Sequence, residues 1–180
     1  MPRITIIGCS GSGKSTLART VHQRLGIPWL ELDSLQHQPD WTPLDPERFR
    51  GAVTAFMDRH RDWVIDGNYP VVSDLIHPRC SDLVWLDVPL PRVLWQLGGR
   101  SLSRLIRRTE LWNGNRERLR DHLSLEPGRS VLVWAMRTHQ VYPARFQSLA
   151  EDPLRTHLRL HRIRDRNDRQ RLLDSLADTT

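Results

Sequence analysis

Residues 8–15 read Gly-Cys-Ser-Gly-Ser-Gly-Lys-Ser and carry the strongest structural signal in the sequence. They match the pattern G-x-x-x-x-G-K-[ST] in full. A β-branched run over residues 3–7 precedes them, and residues 14–25 follow with apolar side chains at helical spacing. This stretch is therefore predicted to join a buried strand to a helix.

Such a turn is suited to holding phosphate groups. Its glycines let main-chain N–H groups point into one concave surface, and the helix N-terminus adds further N–H groups and a positive dipole end. Lys14 can bridge the β- and γ-phosphates of ATP, while the Ser15 hydroxyl can bind Mg²⁺. The predicted nucleotide-binding residues are Gly8, Ser10, Gly11, Ser12, Gly13, Lys14, Ser15 and Thr16.

Lys14 is the only lysine in a chain that has 26 arginines. An ammonium group is a compact point charge, whereas guanidinium is a broad planar fork. A chain that otherwise uses arginine keeps lysine here, which indicates that this position requires the smaller cation.

The rest of the chain alternates between strand-like and helix-like segments. This alternation predicts one α/β domain over residues 1–180, with a parallel sheet covered on both faces. Residues 100–128 are the least core-like and are predicted to form a helical lid. The further predicted strands are residues 29–33, 63–66, 83–88 and 157–163, and the further predicted helices are residues 46–60, 91–108, 129–149 and 167–177.

Two aspartates end predicted strands beside the first strand. The carboxyl ends of strands in an open α/β sheet face the ligand crevice. Asp66 is the first candidate for orienting metal-bound water, so the predicted metal site is Ser15 with Asp66. Asp33 could contact the phosphoryl acceptor, or act as a base if the acceptor is a hydroxyl. A strand-end cap is the alternative interpretation for each.

Arginines are concentrated in the second half of the chain. Residues 91–180 carry a net charge of +8, against −2 for residues 1–90. Positive charge stabilises the transferred group in phosphoryl transfer, so we predict that lid arginines close over it. A solvated basic surface is the alternative for any one of them. The arginines considered are Arg100, Arg104, Arg107, Arg108, Arg116, Arg118, Arg120 and Arg137, of which Arg100, Arg104 and Arg137 are the main catalytic candidates.

Composition excludes several other classes of protein. Hydrophobic residues make up 38% of the chain, which is too many for a disordered protein. No apolar run approaches the roughly 20 residues that span a bilayer, and the N-terminus lacks a signal-peptide pattern. Two cysteines cannot form a disulfide framework or a four-cysteine zinc site. We therefore expect a cytoplasmic protein, monomeric or homodimeric, without a membrane partner.

Five segments together resemble the P-loop nucleoside- and nucleotide-kinase superfamily, in particular small bacterial adenylate-kinase-related proteins labelled "DNA topology modulation" proteins. The resemblance covers nearly the whole chain and implies a three-layer P-loop NTPase fold with sheet order 2-3-1-4-5. It also implies a donor base near residues 164–167. The segments are residues 8–16, 31–35 with Trp41-Thr42-Pro43, 66–69, 111–117 and 134–139.

The acceptor is the least determined part of this resemblance. Adenylate kinases show Asp-Gly-Phe-Pro-Arg at the third strand, whereas this chain has Asp66-Gly67-Asn68-Tyr69-Pro70-Val71. The arginine that helps to hold the acceptor nucleotide is missing, which disfavours AMP. Leu32-Asp33-Ser34 resembles the strand-end aspartate of shikimate- and gluconate-type kinases, which faces a hydroxyl acceptor.

Three functions remain open at this stage. The leading one is a kinase that uses ATP and Mg²⁺ to phosphorylate a small-molecule nucleotide, nucleoside or hydroxyl metabolite. The second is a nucleotide-dependent regulator that binds DNA, which we do not favour because no helix-turn-helix or zinc-finger pattern is present. The third is an NTPase switch without an acceptor.

Overall fold

The computed structural model describes residues 1–107, 110–115, 131–152 and 157–177. Five strands are present in this part of the chain: β1 (Arg3–Gly8), β2 (Trp29–Glu31), β3 (Trp63–Asp66), β4 (Asp82–Leu86) and β5 (Arg159–Ile163). All pairs are parallel, and the sheet order is β2-β3-β1-β4-β5. The predicted sheet order and fold class are therefore confirmed.

Seven helices are described around this sheet. They are α1 (Lys14–Leu25), α2 (Leu32–Gln36), α3 (Pro46–Arg59), α4 (Pro70–Ile76), α5 (Leu90–Arg107), α6 (Val131–Ala150) and α7 (Arg166–Ala177). Helix α3 begins as predicted, because the Asp45 side chain accepts a hydrogen bond from the N–H of Arg48 and Pro46 occupies the first helical position. No helix among the described residues is long and apolar enough to cross a membrane.

The core lies on both faces of the sheet. On one face, Ile4 and Ile6 of β1 pack in a cluster with side chains of α1, α5 and α7. On the other, Ile7 clusters with Phe146 of α6, and Trp63 and Ile65 of β3 cluster with side chains of α3 and α4. Burial of apolar side chains on both sides is what parallel sheets require, and it holds the carboxyl edge of β1, β2 and β3 in place.

Several predicted strand bounds are wrong, and one of these errors concerns a predicted site residue. The second strand was predicted to run to Asp33, but β2 ends at Glu31 and Asp33 lies in the first turn of α2. The physical reason is pairing: β3 ends at Asp66, which is the partner of Glu31, so no neighbouring strand exists beyond that point. Residues 32–36 satisfy their main-chain groups in a helix instead. Helix α4 was not predicted.

The predicted lid is described only in part. Arg108, Arg116, Arg118 and Arg120 lie outside the described residues, as do residues 108–109 and 116–128 of the predicted lid range. Residues 110–115 are described and contain a single 3₁₀ turn, Trp112–Gly114.

Candidate active site

The turn between β1 and α1 has the backbone that phosphate binding requires. Gly11 and Gly13 have φ values of 79° and 96°, which side chains with a Cβ rarely adopt. Gly13 is the N-cap of α1, and no side chain caps the helix there. The first N–H groups of α1 therefore stay available to an anion.

Lys14 folds back over the same turn. Its Nζ donates hydrogen bonds of 3.0 Å to the carbonyl oxygen of Gly8 and 3.1 Å to that of Cys9. The ammonium group is thereby held above the loop by two main-chain acceptors. Ser12 lies within the loop with its hydroxyl oxygen buried and without a hydrogen-bond partner among the described residues. A phosphate oxygen would satisfy that hydroxyl.

Ser15 and Asp66 meet at the carboxyl edge of the sheet. The Ser15 hydroxyl donates a hydrogen bond of 2.7 Å to Oδ2 of Asp66. The Asp66 side chain comes from the end of β3, the strand beside β1, and the residue is only 2% exposed. Burial raises the pKa of Asp66 to about 6, although hydrogen bonds from Trp29 and Ser15 act in the opposite direction.

These two oxygen donors fit a magnesium ion. Mg²⁺ prefers oxygen ligands and is usually bound through one or two protein groups together with substrate phosphates. Within the described part of the chain, no group of three or more His, Cys, Asp or Glu residues could hold a metal ion. A magnesium ion held by Ser15 and Asp66 would therefore take its remaining ligands from phosphate and water.

Asn68 contacts the phosphate loop in a way that the sequence analysis missed. Its side-chain Oδ1 accepts a 3.2 Å hydrogen bond from the N–H of Gly8, and its Nδ2 donates to the Gly8 carbonyl oxygen. The amide therefore satisfies both main-chain groups of the residue where β1 ends. The available signals were its position two residues after Asp66 and its place in segment 66–69 of the family resemblance.

Tyr69, in the loop that follows Asp66, contacts Asp33. The Tyr69 hydroxyl donates a hydrogen bond of 2.6 Å to Oδ1 of Asp33. Tyr69 follows Asp66 by three residues, while Asp33 follows the β2 partner of Asp66 by two. Burial, followed by the charge of Asp33, raises the pKa of the Tyr69 hydroxyl, so it stays a donor. This hydrogen bond consequently orients the carboxylate of Asp33.

Residues 111–115 form a strap over the segment that follows β2. Nε1 of Trp112 donates to Oε2 of Glu31 at 2.8 Å, and Nδ2 of Asn113 donates to the carbonyl oxygen of His37 at 2.6 Å. Asn115, 5% exposed, accepts from the Trp41 N–H at 3.0 Å and donates to the Gln38 carbonyl oxygen at 2.9 Å. The segments 31–43 and 111–115 therefore contact each other directly.

A cleft of about 430 Å³ opens on the other side of the phosphate loop. It runs from the loop residues Gly11–Gly13 to the turn after β5, which is where the resemblance implied the donor base. Arg100, a predicted catalytic residue, lines it. Arg104 lies in α5 and Arg137 in α6, and their side chains lie outside the described part of the structure. The arginines lining the cleft are Arg92, Arg100, Arg164, Arg166 and Arg169.

Asp87 forms an ion pair with one of the arginines that line the cleft, Arg164. Its carboxylate lies 2.7 Å from Nη2 of Arg162 and 3.5 Å from Nε of Arg164. Arg162 also stacks on Trp85, with its guanidinium carbon 4.6 Å from the ring centroid. The ion pair with Asp87 holds Arg164 at the rim of the cleft.

Known proteins with related sequences are shikimate kinases. Shikimate kinase from Paracidovorax citrulli is 31% identical over 118 residues, which cover 66% of this chain but only 50% of that protein. Shikimate kinase from Synechococcus elongatus is 25% identical, with 81% of this chain and 89% of that protein covered. No protein-family model matches the chain.

Solved structures of the same fold include two bacterial kinases. A gluconokinase from Sinorhizobium meliloti 1021 superposes with a TM-score of 0.52 at 17% identity, covering 99% of this chain and 94% of that one. Shikimate kinase from Bacteroides thetaiotaomicron gives 0.50 at 17% identity, covering 99% and 97%. Together with the phosphate-loop sequence and the sheet order, these structures show that the chain has the fold of the P-loop kinases, as the resemblance implied.

Proposed function

We propose that the protein is an ATP-dependent phosphotransferase that moves the γ-phosphoryl group of ATP to a hydroxyl of a small-molecule acceptor. The observation that carries the proposal is the 2.7 Å hydrogen bond from the Ser15 hydroxyl to Asp66. Ser15 directly follows Lys14 of the phosphate loop. The matching relatives, all named as kinases, support the same chemistry.

Each part of the donor side has a task in this reaction. The N–H groups of the loop and of the first turn of α1 bind the phosphates, and Lys14 turns from the Gly8 and Cys9 carbonyls toward the β- and γ-oxygens. The arginines of the cleft neutralise further negative charge. Ser15 and Asp66 would hold Mg²⁺, which when bound neutralises charge that develops on the phosphates.

On the acceptor side, Asp33 would act as the general base. The acceptor oxygen forms a bond to the γ-phosphorus while the bond from that phosphorus to the β–γ bridging oxygen breaks, which releases ADP. The acceptor's proton passes to the Asp33 carboxylate. Tyr69 orients this carboxylate through Oδ1, so the other oxygen can receive the proton.

The test is ATP turnover with Mg²⁺ against a panel of polyols, sugars, sugar acids, nucleosides and nucleotides. We expect at least one acceptor to raise ADP release well above the basal rate and to appear as its phosphate ester by mass spectrometry. Asp33→Asn should lower acceptor-stimulated turnover by 10²-fold or more, the order expected for loss of a general base. Basal hydrolysis that no acceptor changes would support the NTPase switch instead.

A DNA-associated role makes a separate prediction. Binding to random duplex DNA that weakens steeply as salt rises would be expected from the basic half of the chain. Duplex binding that depends on ATP, combined with no acceptor-stimulated turnover, would favour the regulator over the kinase.

A further inference from the structure

Positive charge is distributed very unevenly around this site. The chain has 26 arginines and one lysine in 180 residues, yet residues 25–47, 62–78 and 109–115 contain neither. An even spread would put several arginines in these three segments. Five arginines, in contrast, line the cleft on the donor side of the phosphate loop.

The fold brings the three segments together at one place. Strand β2 pairs with β3 so that Glu31 lies opposite Asp66, and the 110–115 segment reaches the same place through the bond from Trp112 to Glu31. We call this place the acceptor edge: residues 31–38, 66–69 and 111–115. It adjoins the phosphate loop through the contact of Ser15 with Asp66.

The acceptor edge carries negative charge. Glu31 and Asp66 are partners on the paired strands β2 and β3, and Asp33 follows Glu31 by two residues in the first turn of α2, so three carboxylates belong to the edge. No lysine or arginine belongs to the edge, and its one histidine, His37, is stacked on Trp112 with the ring centroids 5.6 Å apart. A carboxylate or phosphate on an acceptor would therefore meet like charge from these described residues, where partial burial reduces screening by water.

Uncharged hydroxyl groups would be favoured by the same surroundings. Carboxylates accept hydrogen bonds from hydroxyls, and these charge-assisted bonds are stronger than neutral ones. The rings of Trp41 and Trp112 each contact the ring of His37, and the three rings offer apolar faces beside those acceptors. The surface thus combines hydroxyl acceptors with flat apolar area.

We propose that the phosphoryl acceptor is an uncharged polyhydroxy compound of the sugar or nucleoside class, without a carboxylate or phosphate of its own. This inference rests on the proposed function and narrows it. It sets the chain apart from its relatives, because shikimate and gluconate are both carboxylates.

Two matched bisubstrate probes test the proposal without knowledge of the natural acceptor. One is adenosine tetraphosphate esterified to C6 of sorbitol, and the other carries gluconate through the same carbon. They differ only in a CH₂OH group against a COO⁻ group at the far end. Dissociation constants are measured by calorimetry with Mg²⁺, with ATP as the reference.

We expect the sorbitol probe to bind at least ~10-fold more tightly than the gluconate probe, with a ratio that shrinks as salt rises because like-charge repulsion is screened. Equal affinities, or tighter binding of the gluconate probe, would overturn the proposal. If ATP itself does not bind, the proposed kinase function falls as well. If ATP binds but the gluconate probe binds as tightly as the sorbitol probe or more tightly, only the proposed acceptor class is wrong.

Charge-neutral variants identify the cause of the discrimination. Glu31→Gln and Asp33→Asn keep the size of each side chain, so each should reduce the ratio by several-fold, and together they should bring it close to one. The matched control is Asp58→Asn, an exposed aspartate paired with Arg79 away from the edge, which should keep the wild-type ratio. Circular dichroism verifies that each variant is folded. A ratio unchanged in the double variant would contradict the inference.

Discussion

The indole nitrogen of Trp29 donates a hydrogen bond of 2.7 Å to Oδ1 of Asp66. The other carboxylate oxygen receives the Ser15 hydroxyl. Asp66 is therefore oriented from two sides, by a residue of β2 and by the first turn of α1. A buried carboxylate with a raised pKa is unfavourable for folding, but it is ready to bind a cation when one arrives with the phosphates.

The first prediction is that the charged Asp66 carboxylate lowers the free energy of unfolding. Its pKa is about 6 in the folded protein against 3.8 in the reference state, so between these values the folded state binds more protons than the unfolded state. The free energy of unfolding contributed by this group therefore falls as pH rises from about 4 to 6. Asp66→Asn should be more stable than wild type at pH 7, by up to about 3 kcal/mol, and inactive. Urea denaturation at pH 4 and pH 7 measures this.

Asp82 provides a control of opposite sign. Burial would raise its pKa, but hydrogen bonds from His161, Arg159 and Ser81 outweigh burial and lower the pKa to about 2. Its contribution to stability is present above pH 4 and is lost as pH falls toward 2. Asp82→Asn should therefore destabilise the protein at pH 7. Destabilisation by Asp66→Asn at pH 7 would contradict our account of Asp66.

The second prediction is that Lys14→Arg keeps the fold but lowers ATP turnover by about 10²-fold or more, as expected when a positioned cation is lost from a phosphate site. The broad guanidinium group cannot occupy the position between the Gly8 and Cys9 carbonyls in the same way. Steady-state kinetics and ATP calorimetry provide the measurement. The reverse exchange at an exposed position of the same helix, Arg24→Lys, is the control. Nearly intact turnover in Lys14→Arg would refute the argument for a compact cation.

The third prediction compares two glycine substitutions. A methyl group at Gly11 would overlap the side chain of Leu97, and the φ value of 79° disfavours alanine as well. Gly11→Ala should destabilise the protein by about 1–3 kcal/mol and weaken ATP binding. Gly51 lies in α3 with open space at its Cβ position, so Gly51→Ala should add about 0.5–1 kcal/mol of stability without changing turnover. Thermal unfolding with and without ATP distinguishes these outcomes.

The fourth prediction concerns the strap over the acceptor edge. Asn115→Ala removes both hydrogen bonds to the 38–41 segment and leaves the Trp41 N–H without its partner. We expect about 1–3 kcal/mol of destabilisation. Weaker acceptor binding should follow, while ATP affinity stays near the wild-type value. The control is Gln147→Ala, an exposed residue of α6 bonded to Glu151. Loss of ATP affinity equal to the loss of acceptor affinity would show that the strap supports the whole domain.

The local parts of the site are determined by sequence. The spacing of glycines, lysine and serine in residues 8–15 fixes the turn, because only glycine adopts the φ values of positions 11 and 13 without strain. The alternation of strands and helices predicts the parallel sheet, and the resemblance of its motifs supplies the observed order. Asp66 could be predicted because a carboxylate that ends a parallel strand faces the crevice.

Contacts between distant segments required the tertiary structure. Asn68 on Gly8, Tyr69 on Asp33 and Trp112 on Glu31 join residues 60, 36 and 81 positions apart, and no local pattern encodes such pairs. The end of β2 also depended on the length of its neighbour β3, since a strand continues only where a partner offers main-chain hydrogen bonds. Local backbone preference therefore made the phosphate loop predictable from the sequence. Strand pairing and long-range packing decided which side chains face the acceptor.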